Sequence, residues 1–239
     1  MKLVIGHFYP ELLNLYGDKG NITTLKKRAE WRDIEVEIKE IKIDDEVDFS
    51  EIDIMFIGGG SDREQRIVLK RLHEIKDKIK EYIENDGVML AFCGGYQMLG
   101  NYCYLGGNKE EGISVIDMET ENGNKRLTSN VILDTPFGKV AGFESHQGRT
   151  YIKDNTPFGN VVYGNGNNGE DKKEGVIYKN VIGTNLYGPL LPKNPNIADS
   201  IIKNALMRKY GEEITLKELD DSIDLRAKDY IINLYTSKI

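Results

Sequence analysis

Hydrophobic runs and helix-like patterns alternate through the first hundred residues of the chain. Apolar or alternating segments predict strands at 3–8, 34–41, 52–57 and 88–92. Asn21 is a suitable N-cap for a helix over 22–31, and residues 64–83 place apolar side chains at the spacing of an amphipathic helix. Strands separated by helices predict a parallel sheet with crossover helices.

Short β-like runs, broken by glycine and asparagine, replace this pattern between residue 112 and about residue 185. The runs lie at 126–133, 139–143 and 175–182, and a polar, glycine-rich loop is predicted over 163–175. Two further helices are predicted over 197–210 and 223–234. We therefore predict an α/β fold: a mostly parallel central sheet, flanked by helices, with an antiparallel extension. Because there is no internal repeat and no long linker, residues 1–239 are predicted to form a single domain.

The composition is typical of a globular protein and excludes some functions. Hydrophobic residues make up 39% and charged residues 30% of the chain. No apolar run is long enough for a transmembrane helix, and the first run is too short for a signal peptide, so a cytoplasmic location is expected. A net charge of −7 argues against general nucleic-acid binding. Two cysteines and three histidines without metal-ligand spacing predict neither a disulfide framework nor a metal site.

One cysteine stands where a buried strand ends. Residues 88–97 read VMLAFCGGYQ, so the strand runs directly into Cys93 and then into two glycines. A nucleophile at a sharp turn between strand and helix is exposed at the carboxyl end of a sheet. The N-terminus of the following helix, predicted to run through Leu99, would favour the thiolate. The amide of Gly94 could donate a hydrogen bond to an oxyanion beside Cys93.

A second glycine turn, residues 58–60, ends a different predicted strand. Open α/β sheets bind ligands at the carboxyl ends of their strands, so an amide of this turn could be a second oxyanion donor. The residues alone leave other interpretations open. Cys93 could be a small buried packing residue, as is expected of Cys103, and the glycines a simple turn. Phosphate binding is a further alternative, although neither loop has a P-loop or dinucleotide-binding pattern.

Several segments together resemble a known family. The segment FCGGYQ at 92–97 is similar to the nucleophile elbow of class I glutamine amidotransferases, in the branch related to cobyric acid synthase. Further matching segments are LNLY at 13–16, IGGGSDREQ at 57–65, GFESHQGRT at 142–150 and GPLLPKNP at 188–195. Over almost the whole chain these resemble the GatD-type glutaminase subunits of lipid II isoglutaminyl synthase.

The resemblance implies both a reaction and a partner. Cys93 would attack the side-chain amide of glutamine, form a glutamyl thioester and release ammonia. Gly94 and Gly59 would form the oxyanion hole, Arg126 would bind the glutamine carboxylate, and Gln97 would line the pocket. Ammonia would pass to a separate Mur-ligase-like subunit, which uses ATP and magnesium to amidate the D-glutamate of lipid II. No cofactor is then expected in this chain, and the lipid-linked substrate would be reached through the partner.

One position departs from the family pattern. The family's histidine lies in Gly-Thr-Tyr-Leu-His-Gly-Pro, whereas residues 183–189 read GTNLYGP and place Tyr187 there. Tyrosine has an unperturbed pKa of about 10 and is a poor proton acceptor at neutral pH. Losing an activating base often costs a factor of about a hundred to ten thousand.

Three hypotheses follow from this departure. The chain could be a weak or inactive structural or regulatory subunit of the same complex. His146, in a short stretch crowded with polar side chains, could replace the missing base. Tyr187 itself could protonate the leaving ammonia. A related amidotransferase of cobalamin biosynthesis is the remaining alternative.

Overall fold

A computed structural model of the chain describes residues 1–15 and 17–237; Tyr16, within the LNLY segment, lies outside the described residues. The strands are β1 (Lys2–Phe8), β2 (Glu35–Ile41), β3 (Ile54–Ile57), β4 (Val88–Phe92), β5 (Tyr102–Leu105), β6 (Asn108–Glu111), β7 (Glu119–Thr135), β8 (Gly138–Tyr151), β9 (Gly159–Tyr163), β10 (Lys173–Glu174), β11 (Val176–Tyr178), β12 (Val181–Thr184) and β13 (Leu186–Tyr187). The helices are α1 (Asp18–Glu30), α2 (Asp62–Glu84), α3 (Gly94–Gln97), α4 (Pro195–Tyr210) and α5 (Ser222–Thr236), with short 3-10 turns at Phe49–Glu51 and Leu191–Lys193.

The first sheet has six strands in the order β11-β12-β4-β3-β1-β2. All neighbouring pairs are parallel except β11 and β12. Every residue of β3 and β4 is buried because helices cover both faces, which is why these strands appear in the sequence as continuous apolar runs. The predicted α/β class, with a mostly parallel sheet between helices, is confirmed.

The antiparallel strands are divided between the two sheets. β11 adds an antiparallel edge to the first sheet, while β7 and β8 form a long hairpin at the centre of a seven-stranded second sheet. The run predicted at 175–182 is therefore two strands, separated by a turn at Lys179, where φ is +51°. The segment predicted as a polar loop at 163–175 folds inward and buries Asn167, Asn168 and Glu174.

The two long helices of the first half begin for different reasons. α2 starts with a capping box, in which Ser61 and Glu64 exchange side-chain and backbone hydrogen bonds, and it buries the predicted apolar face. α1 starts at Asp18, four residues before the predicted helix, with Gly17 as its N-cap. Asn21 is not the cap. It is buried inside the helix, and its Oδ1 accepts the Leu191 N–H at 2.9 Å.

The C-terminal helix α5 lies against the second sheet. Ile232 is buried beside Ile132 and Ala141, and the rings of Tyr163 and Tyr235 lie 4.8 Å apart. The rest of α5 is largely exposed. Within residues 1–15 and 17–237, no helix combines the length and apolar character needed to span a membrane.

A buried ion-pair network ties α1 to the C-terminal third of the chain. Arg28 is 4% exposed and donates hydrogen bonds to the carboxylates of both Asp199 and Asp221, at 2.5 to 2.8 Å. Arg32 also donates to Asp199. Burial acts to raise the pKa of Asp199, but the hydrogen bonds from the two arginines outweigh it and leave the pKa lowered. The network therefore holds α1, α4 and the start of α5 together.

Arg28→Ala is expected to lower the free energy of unfolding by about 3 kcal/mol, because it leaves partly buried carboxylates without their main partner. Urea denaturation measures the loss. Lys27→Ala is the control, since Lys27 pairs with Glu30 on the exposed side of the same helix and should change stability far less. Equal losses in the two variants would contradict the role assigned to the network.

Candidate functional site

Cys93 occupies a sharp turn between β4 and α3. Its backbone has φ +49° and ψ −115°, a region that residues other than glycine rarely adopt. Such a conformation costs about 1–3 kcal/mol and persists only where its surroundings hold it. The Cys93 N–H donates to the Thr184 carbonyl at 2.8 Å and so fixes the turn to the neighbouring strand β12. The elbow predicted from the sequence is thus present.

The helix after the elbow is shorter than expected. It was predicted to reach Leu99, but α3 ends at Gln97. Gly100 and Asn101 follow closely, and the Asn101 N–H donates to the Met118 carbonyl instead of continuing the helix. One turn of helix provides a weaker electrostatic effect on Cys93 than the sequence suggested.

The glycine turn at 58–60 lies against the elbow. A Cβ atom on Gly95 would lie 2.6 Å from the Gly58 carbonyl oxygen, and one on Gly59 would lie 3.2 Å from the Cys93 Cβ. The first distance is shorter than any real contact, so a side chain at position 95 would push the two segments apart. Gly95 is therefore required by the close approach of the glycine turn to the elbow.

A polar cavity of about 490 Å³ opens above Cys93. It brings together four residues that the sequence analysis singled out: Cys93, Gln97, Arg126 and His146. Of the glycine turn, Gly60 lines this cavity. Cys93 is half-buried at its wall, and Arg126 is an exposed side chain on β7. The cavity therefore contains a sulfur nucleophile and a cation that can bind a carboxylate.

The Cys93 sulfur is a thiol, not a thiolate, in this state. Burial raises its pKa to about 11, against a smaller lowering by the Gly94 N–H. Asp18 and Glu174 raise the pKa further, while Arg126 lowers it. The Gly94 N–H at the helix N-terminus favours the thiolate, as expected, but burial outweighs it and two carboxyl groups also oppose ionisation.

The two predicted oxyanion donors differ in their hydrogen bonding. The Gly94 N–H donates a hydrogen bond to the sulfur and therefore lies where an oxyanion donor would be needed. The Gly59 N–H instead donates to Asp18 Oδ2 at 3.1 Å, and the Gly59 carbonyl accepts the Leu15 N–H. The Gly59 amide is thus engaged by a carboxyl group. Sequence reasoning missed Asp18 because it placed the start of α1 too late.

His146 lies at the cavity but is bound on both ring nitrogens. Its Nδ1 lies 2.9 Å from the Gly148 carbonyl oxygen and its Nε2 3.4 Å from Glu144 Oε2. Both ring nitrogens are therefore engaged by groups other than Cys93. This geometry does not support His146 as the substitute base.

Tyr187 lies on β13, opposite Phe143 of β8, and is 5% exposed. Its hydroxyl donates to the Ser145 carbonyl at 2.8 Å. The same carbonyl accepts a hydrogen bond from Nη1 of Arg126. Tyr187 and Arg126 therefore meet at Ser145, and the phenol connects β13 to the strand that forms one wall of the cavity.

A buried polar cluster behind the elbow was not predicted. Glu174 is fully buried, and its Oε1 accepts the Thr184 hydroxyl and the Asn185 N–H, both at 2.7 Å. Gln97 in turn donates to Asn185 Oδ1. Burial raises the pKa of Glu174. The cluster fixes Thr184, whose carbonyl holds Cys93, and it lies in a segment that the sequence suggested was an exposed loop.

Cys103 and the other two histidines, His7 and His73, do not line the cavity. Cys103 is completely buried, which confirms its packing role, and His7 is buried in β1. Burial lowers the pKa of His7 to about 4, so it is neutral. His73 lies on α2, where its Nε2 is 2.9 Å from the Glu111 carbonyl oxygen.

The fold is that of the glutamine amidotransferases. A glutamine amidotransferase from Thermotoga maritima aligns with a TM-score of 0.52 and 13% identity, over 97% of this chain and 94% of that one. The chain belongs to the family described as the CobB/CobQ-like glutamine amidotransferase domain, which matches residues 4–195.

Two curated relatives match along nearly their whole length. The GatD subunit of lipid II isoglutaminyl synthase (glutamine-hydrolyzing) from Staphylococcus aureus is 46% identical over 97% of this chain and 96% of that protein. The protein of the same name from Streptococcus pneumoniae is 44% identical over 96% of this chain and 90% of that protein.

Gly95→Ala is expected to destabilise the protein by about 1–3 kcal/mol and to abolish any chemistry at Cys93, because the new methyl group overlaps the Gly58 carbonyl. Thermal unfolding measures the first effect. Gly6→Ala is the control: its nearest neighbours are side-chain atoms of Ile52 and Phe8 at 3.0 Å or more, so the added methyl group should cost less than at Gly95. A Gly95→Ala protein as stable as Gly6→Ala would contradict the close approach.

Proposed function

We propose that this chain is the glutaminase subunit of a lipid II isoglutaminyl synthase. It hydrolyses L-glutamine at Cys93 and supplies ammonia for peptidoglycan synthesis, and hence for cell-wall formation and cell shape. The observation that carries this proposal is the strained Cys93 elbow, which faces the same cavity as Arg126. The two relatives named glutamine-hydrolyzing GatD subunits support it over a role in cobalamin synthesis.

The cavity suggests how glutamine binds. Nη1 of Arg126 donates to the Ser145 carbonyl, but a guanidinium has five N–H donors in a planar fork. The remaining donors can hold the α-carboxylate of glutamine in a bidentate arrangement. Gln97, which also lines the cavity, offers an amide to the polar end of the substrate. The side-chain amide of glutamine then extends toward Cys93.

The reaction proceeds by attack of the Cys93 sulfur on the side-chain carbonyl carbon. A tetrahedral intermediate forms, and the Gly94 N–H stabilises its oxyanion. Collapse expels ammonia and leaves a glutamyl thioester, which water hydrolyses to glutamate. The thiol proton leaves with the ammonia, so one group must move a proton between sulfur and nitrogen.

We expect that proton transfer to limit the rate in this chain. With a pKa of about 11, roughly one Cys93 in ten thousand is a thiolate at pH 7. The phenol of Tyr187 donates to a carbonyl, and His146 faces acceptors on both nitrogens. These contacts favour a second candidate function: a structural or regulatory subunit whose partner uses free ammonia.

A partner is required because ammonia alone does not amidate a carboxylate. We infer a separate Mur-ligase-like subunit that binds ATP and magnesium, activates the D-glutamate carboxyl of lipid II and receives the ammonia. This division places the lipid-linked substrate on the partner. It also places the complex in the cytoplasm, where the ATP-dependent step takes place.

Cys93→Ala is expected to abolish ammonia release from glutamine, both in the isolated chain and in the complex, because it removes the atom that forms the thioester. Enzymatic detection of ammonia and glutamate measures it. Cys103→Ala is the matched control, since Cys103 is buried away from the cavity and should retain turnover. Ammonia release that survives in Cys93→Ala, or is absent from the wild type alone and in complex, would refute the glutaminase.

Tyr187→His is expected to raise glutamine turnover by about a hundredfold or more, because an imidazole can accept the thiol proton at neutral pH. Tyr187→Phe separates this effect from loss of the hydroxyl, and it should give no increase. If Tyr187→His turns over glutamine no faster than the wild type, the missing base does not limit the reaction.

A further inference from the structure

Asp18 is a buried carboxyl group beside the catalytic elbow. It is the first residue of α1 and is 2% exposed. Its Oδ2 accepts the Gly59 N–H at 3.1 Å. A Cβ atom on Gly58 would lie 2.5 Å from the same oxygen, so the carboxyl group is in contact with the backbone of the glycine turn.

The glycine turn separates Asp18 from Cys93 by the thickness of one backbone segment. On its other side, Gly59 is so close to Cys93 that a Cβ atom would lie 3.2 Å from the Cys93 Cβ. The Asp18 carboxyl group and Cys93 therefore both lie against Gly59. An ionised carboxylate there repels a thiolate, and it also engages an N–H that an oxyanion beside Cys93 would need.

We propose that Asp18 is a positioning residue that restrains the glutaminase site: its carboxylate holds the Gly59 amide and, when ionised, opposes formation of the Cys93 thiolate. This inference rests on the proposed function. The site works fully only when Asp18 is neutral or when the glycine turn moves away from it. Asp18 does not take part in bond making, since it acts through the Gly59 amide and through its charge.

The charges around the sulfur predict a distinctive pH dependence. Asp18 on α1 and Glu174 on β10 raise the Cys93 pKa, and Arg126 on β7 lowers it. Burial raises the pKa of Asp18 to about 7, against a lowering by the Gly59 N–H. Asp18 is therefore neutral at pH 6 and ionised at pH 8, so its effect on Cys93 appears only as the pH rises through 7.

The test is the rate at which iodoacetamide alkylates Cys93 between pH 6 and pH 9, followed by peptide mass spectrometry without glutamine. A thiol far below its pKa gains about tenfold in rate per pH unit. In the wild type the alkylation rate should rise less than tenfold per pH unit around pH 7, because Asp18 ionises there. In Asp18→Asn the rate should rise the full tenfold per unit, so the variant matches the wild type at pH 6 and reacts about tenfold faster at pH 8.

Glu64→Gln is the matched control, because Glu64 also accepts a backbone N–H near the glycine turn but caps α2 at the surface. It should follow the wild-type profile. A ratio of Asp18→Asn to wild type that is constant with pH, or equal to one throughout, overturns the proposal. Alkylation of the buried Cys103 reports whether Asp18→Asn unfolds. If it does, the wild-type profile alone decides, because an unbroken tenfold increase in the Cys93 alkylation rate per pH unit refutes the restraint.

The experiment is independent of glutamine turnover. If Cys93→Ala shows that the chain is not a glutaminase, the alkylation profile still reports the interaction of Asp18 with Cys93. Conversely, a failed alkylation test with normal glutaminase activity removes only the role of Asp18.

Discussion

The structure depends on holding one residue, Cys93, in a backbone conformation that it would not adopt alone. The strain of about 1–3 kcal/mol must be offset by the surroundings. Three contacts hold it: the N–H bond to Thr184 on β12, the close approach of Gly95 to Gly58, and the stacked rings of Phe56 and Phe92 beneath the turn. The chain must therefore return from the second sheet to place β12 beside β4 in the first sheet. As a result, both sheets contribute residues to the cavity at Cys93.

The same packing determines the electrostatics of the sulfur. Fixing Thr184 requires Glu174, and fixing the glycine turn involves Asp18, so two buried carboxyl groups surround Cys93. Both oppose a thiolate. Tyr187 is anchored to the Ser145 carbonyl and supplies no imidazole, so the residue at the family's histidine position is a poor proton acceptor for this nucleophile. The backbone geometry therefore positions Cys93 as a nucleophile, while the nearby carboxyl groups oppose its ionisation to a thiolate.

The parts predicted from sequence are those fixed by local patterns. β1, β3 and β4 appear in the sequence as apolar runs, β2 as an alternating segment and α2 as an apolar stripe at helical spacing, because burial constrains residues that are close in sequence. The start of α1 was missed since its Gly17 cap uses no side chain, and Asn21 serves a contact with Leu191, 170 residues away. The engagement of the Gly59 amide likewise depends on Asp18, 41 residues away, which no local pattern encodes.

The central claim is that the Cys93 sulfur faces a cavity that accepts glutamine. Covalent labelling with a glutamine analogue that has a diazoketone in place of the side-chain amide tests it most directly. One adduct is expected, on Cys93 and not Cys103, which L-glutamine suppresses and Arg126→Gln greatly weakens. Equal labelling of both cysteines in the folded protein, or no adduct on Cys93, would contradict it.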